Sequence, residues 1–102
     1  MKWYNYLFLF LAGVFIANTV PHFINGISGN EFPTPFSNPP GKGLSPPIVN
    51  LFWSFLNLAI GYFLLVKSKV NEVEKKNGWL VFIVGFVLIS ILLSIGFTSK
   101  FK

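Results

Sequence analysis

The chain has 102 residues, 53% hydrophobic and 19% aromatic, and only 11% of it is charged; a soluble domain of this size would need far more surface charge. Its eight basic residues are all lysines and give a formal net charge of +5, but no basic stripe with interleaved aromatics exists, so nucleic acid is not an expected partner. Cysteine is absent, which removes disulfides, thiolate metal sites and thiol nucleophiles together.

The first apolar span runs from about residue 3 to 20 and includes Leu7 to Ala17 without a charge. A signal peptide is the rival reading. Lys2 and the run that follows resemble its first two regions, yet Phe15-Ile16-Ala17 places Phe where a cleavage site needs a small residue. An uncleaved transmembrane helix is therefore expected. The second span covers 48–66 and the third 79–98, each of about 18 to 20 residues, which matches a hydrocarbon layer of about 30 Å at about 1.5 Å per residue. Three helices that are apolar all round leave nothing polar enough to cover them in water. The expected fold is an all-α integral membrane protein with three transmembrane helices.

Between the first two spans lies an outer loop, 21–47, that holds all 7 prolines of the chain. Proline lacks the backbone N–H and fixes φ, so Pro21-His22-Phe23 is expected to end the first helix. Phe32-Pro33-Thr34-Pro35-Phe36 reads as a rigid extended piece. Phe23, Ile24, Ile27, Phe32, Phe36 and Leu44 are too apolar for a solvated linker, so the loop is expected to be ordered and to pack on the helix ends. Gly41-Lys42-Gly43 does not fit a phosphate loop, because the earlier glycine is missing and Gly43 stands where Ser or Thr is required. Lys42 reads instead as a point charge for a lipid phosphate. Ser45-Pro46-Pro47 reads as a helix start, with Ser45 as N-cap.

The cytoplasmic loop, 67–78, looks like a charged hairpin connection. Glu72 and Lys76 form an i,i+4 pair that extends the second helix a little, and Asn77-Gly78 marks a turn before the third. Residues 99–102 are a short tail. Lys2, Lys67, Lys69, Lys75 and Lys76 fall on one side of the membrane, and Lys42, Lys100 and Lys102 on the other. The positive-inside rule then places the N-terminus and the 67–78 loop in the cytoplasm, with the proline-rich loop and C-terminus outside. Trp3, Tyr4, Tyr6, Tyr62 and Trp79 gather at the cytoplasmic interface, as amphipathic rings do.

Within the second span Asn50, Ser54, Asn57 and Gly61 recur at helical spacing and share one face. Asn18, His22 and Asn25 repeat that spacing at the end of the first span. Together they read either as a polar pocket or as helix–helix contact, since amides need partners where water is absent. On the third span Gly85 and Gly96, and Ser90 and Ser94, suit a packing surface. His22 and Glu31 are the outer ionisable groups besides lysines, and Glu31 is placed to orient a His22 proton acceptor. No paired carboxylates, metal-binding His spacing or nucleophile elbow accompany them, so no catalytic residue, metal or cofactor is expected.

The string Pro21-His22-Phe23, Gly26, Gly29, Phe32, Thr34-Pro35-Phe36, Pro39-Pro40-Gly41, Gly43, Ser45, Pro47, Asn50 and Trp53 resembles the signature of an uncharacterised family of small bacterial multi-pass membrane proteins. The resemblance covers about a third of the chain and implies a bacterial inner-membrane location without a catalytic assignment. The expected function is that of a non-enzymatic accessory or binding subunit. It would engage lipid, a small apolar ligand or another membrane protein through its outer loop, with Asn18, His22, Asn25, Glu31, Lys42, Asn50, Ser54 and Asn57 as candidate ligand or packing residues. Self-association is expected, because three helices bury little surface among themselves. An oligomeric transporter or channel component with an Asn/Ser-lined path is the alternative, and a membrane enzyme using His22 a more distant one.

Overall fold

A computed structural model describes residues 2–69 and 75–98. The chain is all-helical: α1 spans Trp3–Ile27, α2 spans Pro47–Lys67 and α3 spans Lys75–Thr98. All three are long and apolar enough to cross a membrane. Among the described residues there is no strand, and Phe32 and Ser45 form an isolated antiparallel bridge.

The first helix does not stop at Pro21. It runs on to Ile27, a total of 25 residues, so the expected boundary near residue 20 is corrected. A proline inside a helix loses one backbone donor, here the one that would reach Ala17, but it does not prevent the next turn when other contacts hold that turn. Here they do. Asn25 Nδ2 donates to the Pro21 carbonyl at 2.7 Å, His22 is tied to α2 at 2.7 Å, and Gly26 lies directly against the Leu51 backbone. The helix ends in a Schellman motif, with Asn30 N donating to Asn25 O at 2.9 Å and Gly29 N to Gly26 O at 3.4 Å. Gly29 takes φ 74 there, a conformation that glycine reaches without steric penalty.

The loop is folded rather than extended. Phe32 and Ser45 exchange both backbone hydrogen bonds, at 3.2 and 3.0 Å, which closes it at its base. Inside that closure the Thr34 carbonyl accepts from Ser37 N at 3.2 Å and Gly41 N at 2.8 Å, and the Thr34 and Ser45 hydroxyls meet at 2.6 Å. The chain therefore turns at Pro35-Phe36, where a rigid extended piece was expected. The Asn38–Pro39 peptide is cis. Prolines withhold donors that would otherwise need partners; of the amides that remain, those of Phe36, Ser37 and Gly41 bond to Thr34 and those of Lys42 and Gly43 to Pro39.

Two helix starts also differ from expectation. At α2 the N-cap is Pro46 and no side chain caps it; Ser45 turns its hydroxyl to Thr34 instead. The first turn tolerates this because Pro47 carries no N–H to satisfy. At the other end, Asn77 and Gly78 lie within α3, not in a turn before it. Gly78 is buried, so packing offsets its weak helix propensity. Of the Glu72–Lys76 pair, Glu72 lies outside the described residues, as does the 99–102 tail.

Helix α1 is central, packing on α2 and on α3. The α1–α3 crossing is a backbone contact. A Cβ on Gly13 would strike the Phe82 carbonyl and approach Phe86 N to 2.9 Å, and a Cβ on Gly85 would strike the Phe10 carbonyl. Backbone atoms cannot swing aside, so glycine is required at both positions. Gly96, by contrast, faces open space and takes no part in this crossing. The outer surfaces carry Phe52, Phe63, Ile83, Val87, Ile91 and Ile95, all exposed. A Leu at Gly13 or Gly85 is expected to part α1 from α3 and to lower stability by about 3 kcal/mol, read as unfolding in micelles and as a longer spin-label distance between the helices. Gly96→Ala is expected to stay within about 0.5 kcal/mol of the wild type.

Candidate binding site at the loop-capped end

The buried residues of α2 are Asn50, Ser54, Asn57 and Gly61, the face defined by their helical spacing. This face meets α1. Gly61 lets Ile16 approach, and Ser54 Oγ donates to Leu51 O at 2.6 Å within its own helix. Asn57 donates to Trp53 O at 2.8 Å and accepts from Asn18 Nδ2 at 3.1 Å. One amide pair thus bridges the two helices.

Asn50 does more. Its Nδ2 reaches Phe32 O at 2.9 Å, Ser45 O at 3.2 Å and Pro46 O at 3.3 Å, and its Oδ1 lies 2.7 Å from His22 Nδ1. Because the amide nitrogen faces carbonyls, the oxygen must be the acceptor toward the ring, so His22 Nδ1 carries the proton. In the neutral form of the ring Nε2 is then the acceptor nitrogen. One side chain at the start of α2 therefore ties together α1, both sides of the loop base and its own helix.

Aromatic rings enclose this group. His22 meets Phe32 edge-on with centroids 5.4 Å apart and Trp53 at 6.4 Å. Phe32 continues to Phe97 of α3 at 4.8 Å, and Phe36 rests on Trp53 at 5.1 Å. Offset and edge-on pairs of this kind contribute about 1 kcal/mol each beyond burial. The loop is thereby joined to all three helices.

The expected residues separate clearly. Asn18, His22, Asn50 and Asn57 line up along the α1–α2 contact, with Ser54 buried between the two α2 amides. Asn25 bonds its own helix. Glu31 and Lys42 are exposed on the loop, and the group that orients His22 is the Asn50 amide rather than Glu31. Two apolar grooves flank the cluster. One of about 320 Å³ lies between α1 and α3 beside Ala17, Pro21, Ser90 and Phe97, and one of about 310 Å³ lies between α1 and α2 beside Thr19, Phe23, Phe55 and Leu58. Neither is lined by Asn50 or His22, and the Asn18 and Asn57 amides bond to one another across the helix contact. Among the described residues no three His, Cys, Asp or Glu side chains gather.

Sequence reasoning passed over Thr34 and Ser45 as a pair and Thr19, which donates to Phe15 O at 3.0 Å. Small hydroxyls flanked by prolines in an apolar segment are the signal that would have marked the first two. The described residues together define an all-helical chain with three helices long and apolar enough to cross a membrane and a structured loop between the first two. No family model, curated protein or solved structure matches the chain, so its function has to be argued from this geometry.

Asn50→Leu is expected to lower stability by about 2 kcal/mol and to open the 32–45 loop to protease, since it leaves His22 Nδ1 without its partner and takes from the Phe32 and Ser45 carbonyls one of their two donors. Asn57→Leu breaks one interhelical bond and is expected to lower stability by about 1 kcal/mol with the loop still protected. Unfolding in micelles and limited proteolysis read the two effects separately.

Proposed function

We propose that this chain is a bacterial inner-membrane accessory protein, without catalytic activity, that binds another membrane protein through its extracytoplasmic loop and the adjoining face of α3. The observation that supports this most is that a loop closed by its own hydrogen bonds keeps apolar residues exposed. Phe36 and Leu44 are 66% and 49% exposed on a segment held by Asn50 and by its own hydrogen bonds. A rigid apolar surface lowers the ordering entropy of binding a structured partner, whereas a fluid lipid surface gains little from such preorganisation. Beside it α3 offers an almost uncovered face. Gly96 and Ser94 on that helix are exposed and permit close approach of another helix, including a second copy's.

The orientation in this proposal follows the lysines, with the N-terminus and the 67–78 loop cytoplasmic. Asn30→Cys is expected to react with an impermeant maleimide in intact cells, and Asn77→Cys only after permeabilisation; the opposite pattern reverses the orientation. A transport path along Asn50, Ser54 and Asn57 has less support, because these groups face α1 and bond within the chain. An enzyme using His22 has less too, since Nδ1 is held by an amide and, among the described residues, the ring bonds to no carboxylate.

A photo-crosslinking residue at position 36 is expected to give a protein adduct in native membranes, and Asn50→Leu in the same background is expected to abolish it at equal protein level. Adducts to lipid alone, or an adduct indifferent to Asn50→Leu, would sink the proposal.

A further inference from the structure

The opposite end of the bundle holds a basic cavity. Lys2 and Tyr4, Asn5 and Phe8 of α1 face Lys67 and Lys69 at the end of α2, around a space of about 470 Å³. Aromatic faces draw the ammonium groups toward it: Lys2 lies 5.8 Å from the Tyr4 ring centre, and Lys67 lies 6.0 Å from Phe8 and 5.7 Å from Phe63.

The charge in this cavity is unbalanced among the described residues. No side chain caps the start of α1, and its first turn has no acidic residue, so that helix presents about half a positive charge there. The end of α2 contributes about half a negative charge, which roughly cancels it and leaves the three ammonium groups. The described carboxylate, Glu31, lies beyond the far end of α1, roughly 35 Å away along a helix of 25 residues. Lys69 adds a second sign. It adopts φ 56, a left-handed conformation that disfavours lysine relative to glycine, yet this strained position places a third positive charge on the cavity.

We infer that the cavity binds a phosphate anion, held by Lys2, Lys67 and Lys69 with the Tyr4 hydroxyl and Asn5 amide as further donors. In a bilayer the source is the headgroup phosphate of an acidic phospholipid. Trp3 and Tyr4 at the same level suit the membrane interface, Phe8 and Val66 offer an apolar floor for the first methylenes of its chains, and lysines near such a surface attract anionic lipid. The site lies at the opposite end from the loop and stands whether or not the loop has a partner.

The test uses the full chain in nanodiscs of equal parts phosphatidylglycerol and phosphatidylcholine, with retained lipid counted by native mass spectrometry. The wild type is expected to retain phosphatidylglycerol preferentially, and K67Q and K69G each to lower that preference about fivefold. K67R keeps the charge and is expected to keep the preference. K69G also relieves the left-handed backbone, so an unchanged or raised thermal midpoint separates lost binding from lost folding. Phosphatidylglycerol that resists millimolar inorganic phosphate assigns the site to a lipid headgroup; displacement by phosphate assigns it to the free anion, with the same chemistry. Equal retention of both lipids with no effect of phosphate overturns the inference. So does a preference that survives the K67Q/K69G double substitution, or one that emerges only in E72Q/E74Q, where loop carboxylates would have been filling the cavity.

Discussion

The carboxamide of Asn50 is the constraint on which the loop-capped end depends. A side-chain amide that is fully buried away from water must find partners for two N–H groups and an oxygen, or the fold bears a penalty of several kcal/mol. Asn50 finds them on the two sides of the loop base, on its own first turn and on His22. Each partner then limits something else. The Phe32 and Ser45 carbonyls bring the loop ends together, which lets Thr34 and Ser45 pair. The bond to His22 holds the turn of α1 that follows Pro21, where intrinsic propensity alone argues for a break.

The rest of the molecule follows a logic inverted relative to a soluble domain. Apart from Leu9 and Pro33 its buried positions are small or polar, with Ala12, Ala17, Asn50, Ser54, Asn57 and Thr34 among them, and most of its large apolar side chains point outward. In lipid an outward Leu or Ile loses nothing, so helices gain little by burying one another's apolar faces. Association must come instead from close backbone approach and from bonds between polar groups. The α1–α2 contact uses both, with Gly61 against Ile16 and Asn18 bonded to Asn57. The α1–α3 contact relies on Gly13 and Gly85, and α3 keeps most of its surface free. That asymmetry is the reason the proposed partner helix is placed against α3.

Function at the two ends then draws on different physics. The loop end is held by internal bonds, with Thr34, Ser37 and Ser45 turned inward and Phe36 and Leu44 outward, which suits the proposed structured partner. The lysine end is open and positively charged, with aromatic walls, which suits a diffusible or lipid-borne anion. Both proposals rest on which groups remain outward after the internal bonds have been made.

Much of this was legible in the amino-acid order because it depends on periodicity. The lengths of the apolar spans set three membrane-sized helices, and the spacing of Asn50, Ser54, Asn57 and Gly61 identified the buried face of α2, since a helix returns to the same side every three or four residues. His22 and Asn18 were found by the same repeat. What periodicity could not supply was pairing across the chain. Glu31 and Asn25 have suitable chemistry at suitable spacing, yet His22 turned to Asn50, 28 positions away. Ser45 left its expected cap for Thr34, the helix passed through Pro21, and Asn77-Gly78 was absorbed into α3. Local propensity is worth up to about 0.7 kcal/mol at ordinary positions, about 1 at a glycine and about 3 at a proline. Several tertiary hydrogen bonds and a buried backbone contact outweigh it, so chain order determined which faces had to be covered, and only the tertiary structure decided what covered them.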